Sequence, residues 1–375
     1  MSYRTSVTLI FWLTALHTIA SAQGVTKTEI ALGQTADFSG PQAALVKDTT
    51  AAAKAYFDKI NSQGGVNGRK IILTSLDDGY DVKRTVENAT TLIDKNQVLA
   101  LMLTRGTANS EALLPVLTEK HVPLLGPVGG SKALHDPPNR FLFNIRPQYR
   151  TEAERVVGQL TAQGITKIGI VYTDDAFGKD ALQGAIDGLK ARNLEPTGLA
   201  SIERGSVNVD IAVKIMGKGA PSAIIGLCIA KPCVALVKGL RKAGIMSTFV
   251  SLSNTSAPSY IGDLGDDARG VMVSQVFPFP DSTVIAVTKE FGQLADAAKL
   301  PKNYSSMEGF IAARIMVEAI KRAGKDPTRE SMVTALESLH QLDLGGFVIR
   351  FGPKNRTGND FVELSMINKQ GKFIR

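Results

Sequence analysis

The sequence predicts an α/β protein of two lobes, each built on a mostly parallel sheet. Three observations lead there. Short apolar, β-branched stretches at residues 30–32, 71–76, 99–103, 122–125, 168–172, 223–227, 248–252 and 271–276 alternate with segments of amphipathic helical spacing. Alternation of this kind with few hairpin signals builds a parallel sheet covered by helices on both faces. The chain has 375 residues, 44% of them hydrophobic, enough for two medium cores. The pattern also pauses at Phe141-Leu142-Phe143-Asn144-Ile145-Arg146-Pro147 and at Val276-Phe277-Pro278-Phe279-Pro280, extended segments suited to crossing between lobes and framing a cleft with a hinge.

Taken in order, residues 1–22 read as a secretory leader. Arg4 supplies a positive start, residues 6–16 an apolar run, and Ala20-Ser21-Ala22 an A-x-A site cut after Ala22. That run is shorter than the roughly 20 residues that span a bilayer, and later apolar runs are short and flanked by charge. The expected protein is soluble and periplasmic. Next, "GQTADFSGPQA" at residues 33–43 breaks a strand and leads into a helix over 43–62, a common way to hold an anion. The glycine-rich "QGGVNGRK" at 63–70 resembles a phosphate loop, but no helix follows it, so it reads as a tight turn needing positive φ. Helices are expected over 81–95 and 110–120. Gly164 and Gly244 stand where left-handed caps would end two more. Long helices follow over 283–299 and 305–324, and residues 346–375 alternate like antiparallel strands joined by a turn at 352–360. This divides the chain into lobe 1, residues 23–145 and 278–341, and lobe 2, residues 146–277 and 342–375.

Several function classes are disfavoured. Lys and Arg number 43 against 35 Asp and Glu, a net charge of +8. The charges are interspersed, without long like-charge runs or aromatic interleaving, which describes a solvated basic surface and no nucleic-acid partner. No nucleophile elbow, phosphate loop, dinucleotide fingerprint or zinc-protease helix is present. His121, His135 and His340 are isolated from one another and sit by predicted turns, so they read as surface residues. No catalytic residue, cofactor or metal is expected. Cys228 and Cys233, five apart in "GLCIAKPC", would close only a small loop, and their pairing depends on geometry that the sequence leaves open.

Ligands of open α/β sheets bind at loops after the carboxyl ends of strands. Four such loops here are small and polar: one with Phe38 and Ser39; one with Arg105, Gly106 and Thr107; one with Gly129, Gly130 and Ser131; and one with Asp175 and Phe177. Glycine admits close approach to backbone N–H groups, and hydroxyls donate or accept. The second and third loops follow consecutive strands and would face one cleft. The expected anion is a carboxylate, since hydrogen bonds to a charged group contribute about 1.5–3 kcal/mol each and three supply much of the roughly 8 kcal/mol of micromolar binding. Arg105 either pairs with that anion or reaches solvent. Phe38, Tyr80, Phe177 and Phe277 form an aromatic wall or belong to the core.

At these residues the chain resembles the type I periplasmic solute-binding proteins, in the leucine/isoleucine/valine-binding branch that feeds ABC importers. The likeness rests on "IALGQTADFSGPQ", "INSQGGVNGRKIILTSLDDGYD", "PVLTEKHVPLLGP", "YTDDAFGKD" and "LRKAGIMSTFVSLS". It implies two Rossmann-like lobes, a three-strand hinge, and closure over a small ligand that is then delivered to membrane permease subunits by a monomer. By motif, Gly106 and Thr107 match the carboxylate loop, Gly129 to Ser131 the backbone-donor loop, and Phe177 the aromatic residue of the second lobe. Where amino-acid binders of the branch place an acidic residue for the ligand's ammonium, this chain has Ser253 or Asn254. A buried ammonium without a carboxylate is costly, so the expectation is an aromatic or short aliphatic acid lacking an amine. Asp78, Asp81 and Asp175 keep an amino-acid ligand as the alternative, with a periplasmic sensor as a second.

Overall fold

The structure, a computed structural model, describes residues 23–375; the leader expected at 1–22 lies outside the described residues. The first lobe's sheet contains β1 (Glu29–Ala36), β2 (Lys70–Asp77), β3 (Ala100–Met102), β4 (Leu124–Leu125) and β5 (Leu142–Phe143), all parallel, in the order β2-β1-β3-β4-β5. Between them run α1 (Ala43–Ser62), α2 (Val82–Asp94) and α3 (Thr107–Lys120). The second lobe opens with α4 (Tyr149–Ala162) and continues through β6 (Ile168–Thr173), α5 (Ala176–Lys190), β7 (Gly198–Ile202), α6 (Asp210–Gly219), β8 (Ala223–Leu227), α7 (Ala230–Lys242), β9 (Thr248–Ser251), α8 (Pro258–Leu264) and β10 (Met272–Gln275). The chain then returns to the first lobe as α9 (Ala286–Ala298), α10 (Tyr304–Arg322) and α11 (Arg329–Glu337).

Local chemistry sets the helix starts. Asp81 and Asp175 accept from the Arg84 and Gly178 amides at the starts of α2 and α5, and Asn303 does the same for Ser306 in α10. Thr328 and Ser331 form a reciprocal capping box on α11. Packing then follows the apolar faces: Phe310 of α10 is fully buried with its ring 5.4 Å from Tyr56 of α1 and 5.6 Å from Phe291 of α9.

The carboxyl-terminal segment differs from the expected hairpin. β11 (Leu342–Asp343) pairs with β12 (Val348–Ile349), and Leu344, Phe347, Ile349 and Phe351 pack into the first lobe's core, the Phe351 ring 5.3 Å from Phe143. Only β13 (Glu363–Ile367) and β14 (Phe373–Ile374) join the second sheet, antiparallel, completing the order β14-β13-β10-β9-β8-β6-β7. The division drawn at residue 342 is therefore displaced towards 360. A period of two marks a half-buried strand but does not name the core it faces.

Three segments connect the lobes, around residues 144–148, 276–281 and 357–362. The first and third run side by side: Asn144 donates to the Arg356 carbonyl at 2.8 Å, Gly358 to the Asn144 carbonyl at 2.7 Å, and the Asn359 amide to the Ile145 carbonyl. His135 is buried, against the surface expectation; its Nδ1 lies 2.6 Å from Thr357 Oγ1 and burial lowers its pKa to about 4. His121 and His340 are exposed as expected. Cys228 and Cys233 form a disulfide, with Cα atoms 5.5 Å apart. Among the described residues no helix is long and apolar enough to cross a membrane.

Truncating Phe310 to alanine should cost about 3–5 kcal/mol of unfolding free energy in denaturant titration, because it removes a ring held between two others. A loss below about 1 kcal/mol would contradict the packing described.

Candidate ligand site

The two lobes meet across a narrow gap in which their side chains are nearly in contact. Gln42, Tyr80, Arg105, Gly106, Thr107 and Val128 line it from the first lobe; Tyr149, Phe177, Ile229 and Asn254 line it from the second. Strand ends and helix starts supply most of them, as the α/β rule requires. Gly106 has φ +101°, and a Cβ there would lie 2.8 Å from the Tyr80 ring, so glycine allows Tyr80 to close over the loop. Gly130 plays the same part for Tyr149, whose backbone nitrogen would stand 2.8 Å from an added Cβ.

Arg105 is 3% exposed. Its Nε and Nη2 donate to Gln42 Oε1 at 3.3 and 3.0 Å, and Nη2 also reaches the Asn254 carbonyl of the other lobe at 3.4 Å. Nη1 has no protein partner, and among the described residues Arg105 forms no ion pair. Burial lowers its pKa, partly opposed by the Glu308 carboxylate. Three further buried atoms on the lining lack protein partners: Gln42 Nε2, Thr107 Oγ1 and Asn254 Oδ1. The Tyr80 phenol, pushed up to about 12 by burial, stays neutral at ordinary pH. Tyr149 is raised too, chiefly by burial, and its ring meets Phe177 edge-on at 4.6 Å.

Behind the gap lies a second buried cluster. Arg146 pairs with Glu308 through two bonds, Nε–Oε1 at 2.5 Å and Nη2–Oε2 at 2.7 Å, and its Nη1 donates to Ser253 Oγ at 2.8 Å. Burial works against the Arg146 charge, and Glu308 more than offsets it, so its pKa is raised. Glu152 accepts from the Ser253 amide, Ser253 Oγ and Ser274 Oγ, while burial raises its pKa.

Tyr80, Arg105, Gly106, Thr107, Phe177 and Asn254 therefore come together, with Arg105 buried and turned inward. The others do not line the gap. Asp37 and Asp77 accept the Gly40, Gln42 and Phe38 amides, so the first loop satisfies its own donors and leaves Phe38 and Ser39 outside. The second and third loops are adjacent as expected but spend backbone groups on each other: Gly106 donates to the Val128 carbonyl and Val128 to that of Thr104. Gly129, Gly130 and Ser131 stand behind this ladder, the Gly130 carbonyl accepting from Tyr149 and Ser131 donating to Glu111. Ser253 belongs to the Arg146 cluster, and Phe277 to the core. Asp78, Asp81 and Asp175, the acids left open for an ammonium, each hold a local backbone amide: those of Tyr80, Arg84 and Gly178. Gln42, Val128, Tyr149 and Ile229 were not foreseen; Gln42 stood in the opening loop, where a helix start was legible but not its side-chain direction.

A family model described as periplasmic binding protein matches residues 29–372. Among curated proteins, Leu/Ile/Val-binding protein homolog 3 of Brucella melitensis is 23% identical over 82% of this chain and 83% of its own length. Among solved structures, a substrate-binding periplasmic protein from Ralstonia solanacearum superposes with a TM-score of 0.86 at 33% identity, over 92% of this chain and 99% of the other. A branched-chain amino acid ABC transporter protein from Thermus thermophilus with bound valine shares the fold, with a TM-score of 0.83 at 19% identity over 93% and 96%.

Replacing Glu308 with alanine leaves the Arg146 guanidinium buried without its ion partner, and the expected cost is about 3–5 kcal/mol of folding stability by chemical denaturation. A neutral result would show that the pair is not held as described.

Proposed function

This chain belongs to the periplasmic binding protein family, and we propose that it captures a small organic carboxylate without a free amine, aromatic or short aliphatic, for delivery to the permease subunits of an ABC importer. The observation that carries this reading is the surroundings of Arg105: a buried guanidinium on the gap with no ion partner among the described residues. A carboxylate there would gain charge-assisted bonds from Nη1, with Gln42 Nε2 and Thr107 Oγ1 beside it. Thr107 also opens α3, whose positive end favours an anion. Among the described residues no acidic side chain lines the gap, so an ammonium would be buried without a counter-charge. Tyr80, Tyr149 and Phe177 suit a flat or compact apolar body. Closure would be favoured by whatever contacts the second lobe adds to a ligand already held by the first. Nothing in this cycle requires a bond in the ligand to break.

The test is calorimetric titration of protein that has been unfolded and refolded to remove carried ligand. Amine-free acids such as benzoates, phenylpropanoates and branched oxo acids should bind, and valine, leucine and phenylalanine should not. Tighter binding of those amino acids than of their amine-free counterparts would contradict the reading. Arg105→Met should weaken the bound acid by about 1.5–3 kcal/mol, roughly 10- to 150-fold in Kd. The ligand-free variant should melt no lower than wild type, since it loses a buried unpaired charge.

A further inference from the structure

We propose that Asn254 reads a hydroxyl on the ligand, narrowing the ligand class to hydroxy-substituted carboxylates; this rests on the carboxylate reading of the same gap. The unpartnered atoms on the lining differ in kind. Arg105 Nη1 and Gln42 Nε2 are donors and Thr107 Oγ1 can donate, all three from the first lobe, whereas Asn254 Oδ1 from the second lobe only accepts. A ligand satisfying all four has an accepting end towards the first lobe and a donor towards the second. A carboxylate provides the accepting end, but a plain acid offers nothing to Asn254, which is 4% exposed and would keep an unpaired oxygen.

Both amide orientations follow from the network. Gln42 Oε1 accepts twice from Arg105, so rotating that amide would set donor against donor. Asn254 Nδ2 donates to the Cys228 carbonyl at 3.2 Å, so rotating this one would set acceptor against acceptor. The Asn254 backbone is also tied, its carbonyl to Arg105 at 3.4 Å and the adjacent Ser253 to Arg146 and Glu152, both at 2.8 Å. Cys228 itself is bonded to Cys233 in the first turn of α7. The accepting oxygen is thus positioned from several sides. It is also neutral: a hydroxyl satisfies it fully, whereas an ammonium would need a negative partner that the lining lacks.

The experiment is calorimetry on matched pairs: benzoate against 3- and 4-hydroxybenzoate, 3-phenylpropanoate against its ring-hydroxylated form, and 3-methylbutanoate against 2-hydroxy-3-methylbutanoate, with valine alongside. In at least one pair the hydroxy acid should bind about tenfold or more tighter to the wild type. In Asn254→Ala that preference should fall to about one. Asn254→Asp, which sets a second negative group beside the bound acid and offers an ammonium a counter-charge, should weaken both acids of a pair and gain valine, so that a poorly folding alanine variant does not decide the matter. Equal binding within every pair, or a preference that survives Asn254→Ala together with no gain of valine in Asn254→Asp, overturns the role of Asn254 while leaving the carboxylate reading intact. Binding of no acid in either set overturns both.

Discussion

A buried guanidinium with no ion partner among the described residues is the constraint around which the cleft is arranged. Taking an arginine out of water costs several kcal/mol unless hydrogen bonds and opposite charge offset it. Arg146, a short distance along the chain from the same cleft, has both from Glu308. Arg105 has hydrogen bonds alone, from Gln42 and from the carbonyl of Asn254. Since one of those acceptors belongs to each lobe, an anion settling on Arg105 would act on a residue that already touches both. Recognition and lobe contact are then properties of one side chain.

The fold supplies this placement from simple parts. Parallel strands deliver their carboxyl ends to one edge, so the loops after β2 and β3 bring Tyr80 and Arg105 together, and those after β6 and β9 bring Phe177 and Asn254 opposite. The connecting segments hold the lobes in register, with the first and third hydrogen-bonded to each other. Other contacts span the cleft: the Lys132 amide reaches Asp180 at 3.2 Å, and the Arg204 guanidinium lies 5.8 Å from the Tyr80 ring centre. Away from the gap the lobes also meet at Tyr304 of α10, whose hydroxyl lies 2.9 Å from Ser365 Oγ of β13.

Much of this was legible in the sequence, for identifiable reasons. Alternating strands and amphipathic helices report their own periods, so the two-lobe α/β architecture and two of the connections could be read directly. Loops at strand ends could be located because glycine and proline punctuate them. Side-chain direction could not. "FSGPQ" looked like a cradle for an anion, yet Asp37 and Asp77 occupy its amides and the useful residue is Gln42. Asp175 looked available for an ammonium, yet it caps α5. Arg105 stood between two readings, and burial decides for the inward one. The ribbon around Phe347 and Phe351 was misassigned because alternation shows that one face is apolar without saying which core receives it.

The most direct test is a crystal structure of the protein with a bound hydroxybenzoate or other acid that calorimetry has shown to bind. The account predicts a carboxylate oxygen within about 3 Å of Arg105 Nη1, a distance typical of charge-assisted hydrogen bonds, between Tyr80 and Phe177. A ligand lodged elsewhere, or an Arg105 that turns to a protein carboxylate and leaves the ligand's charge to other groups, would contradict it.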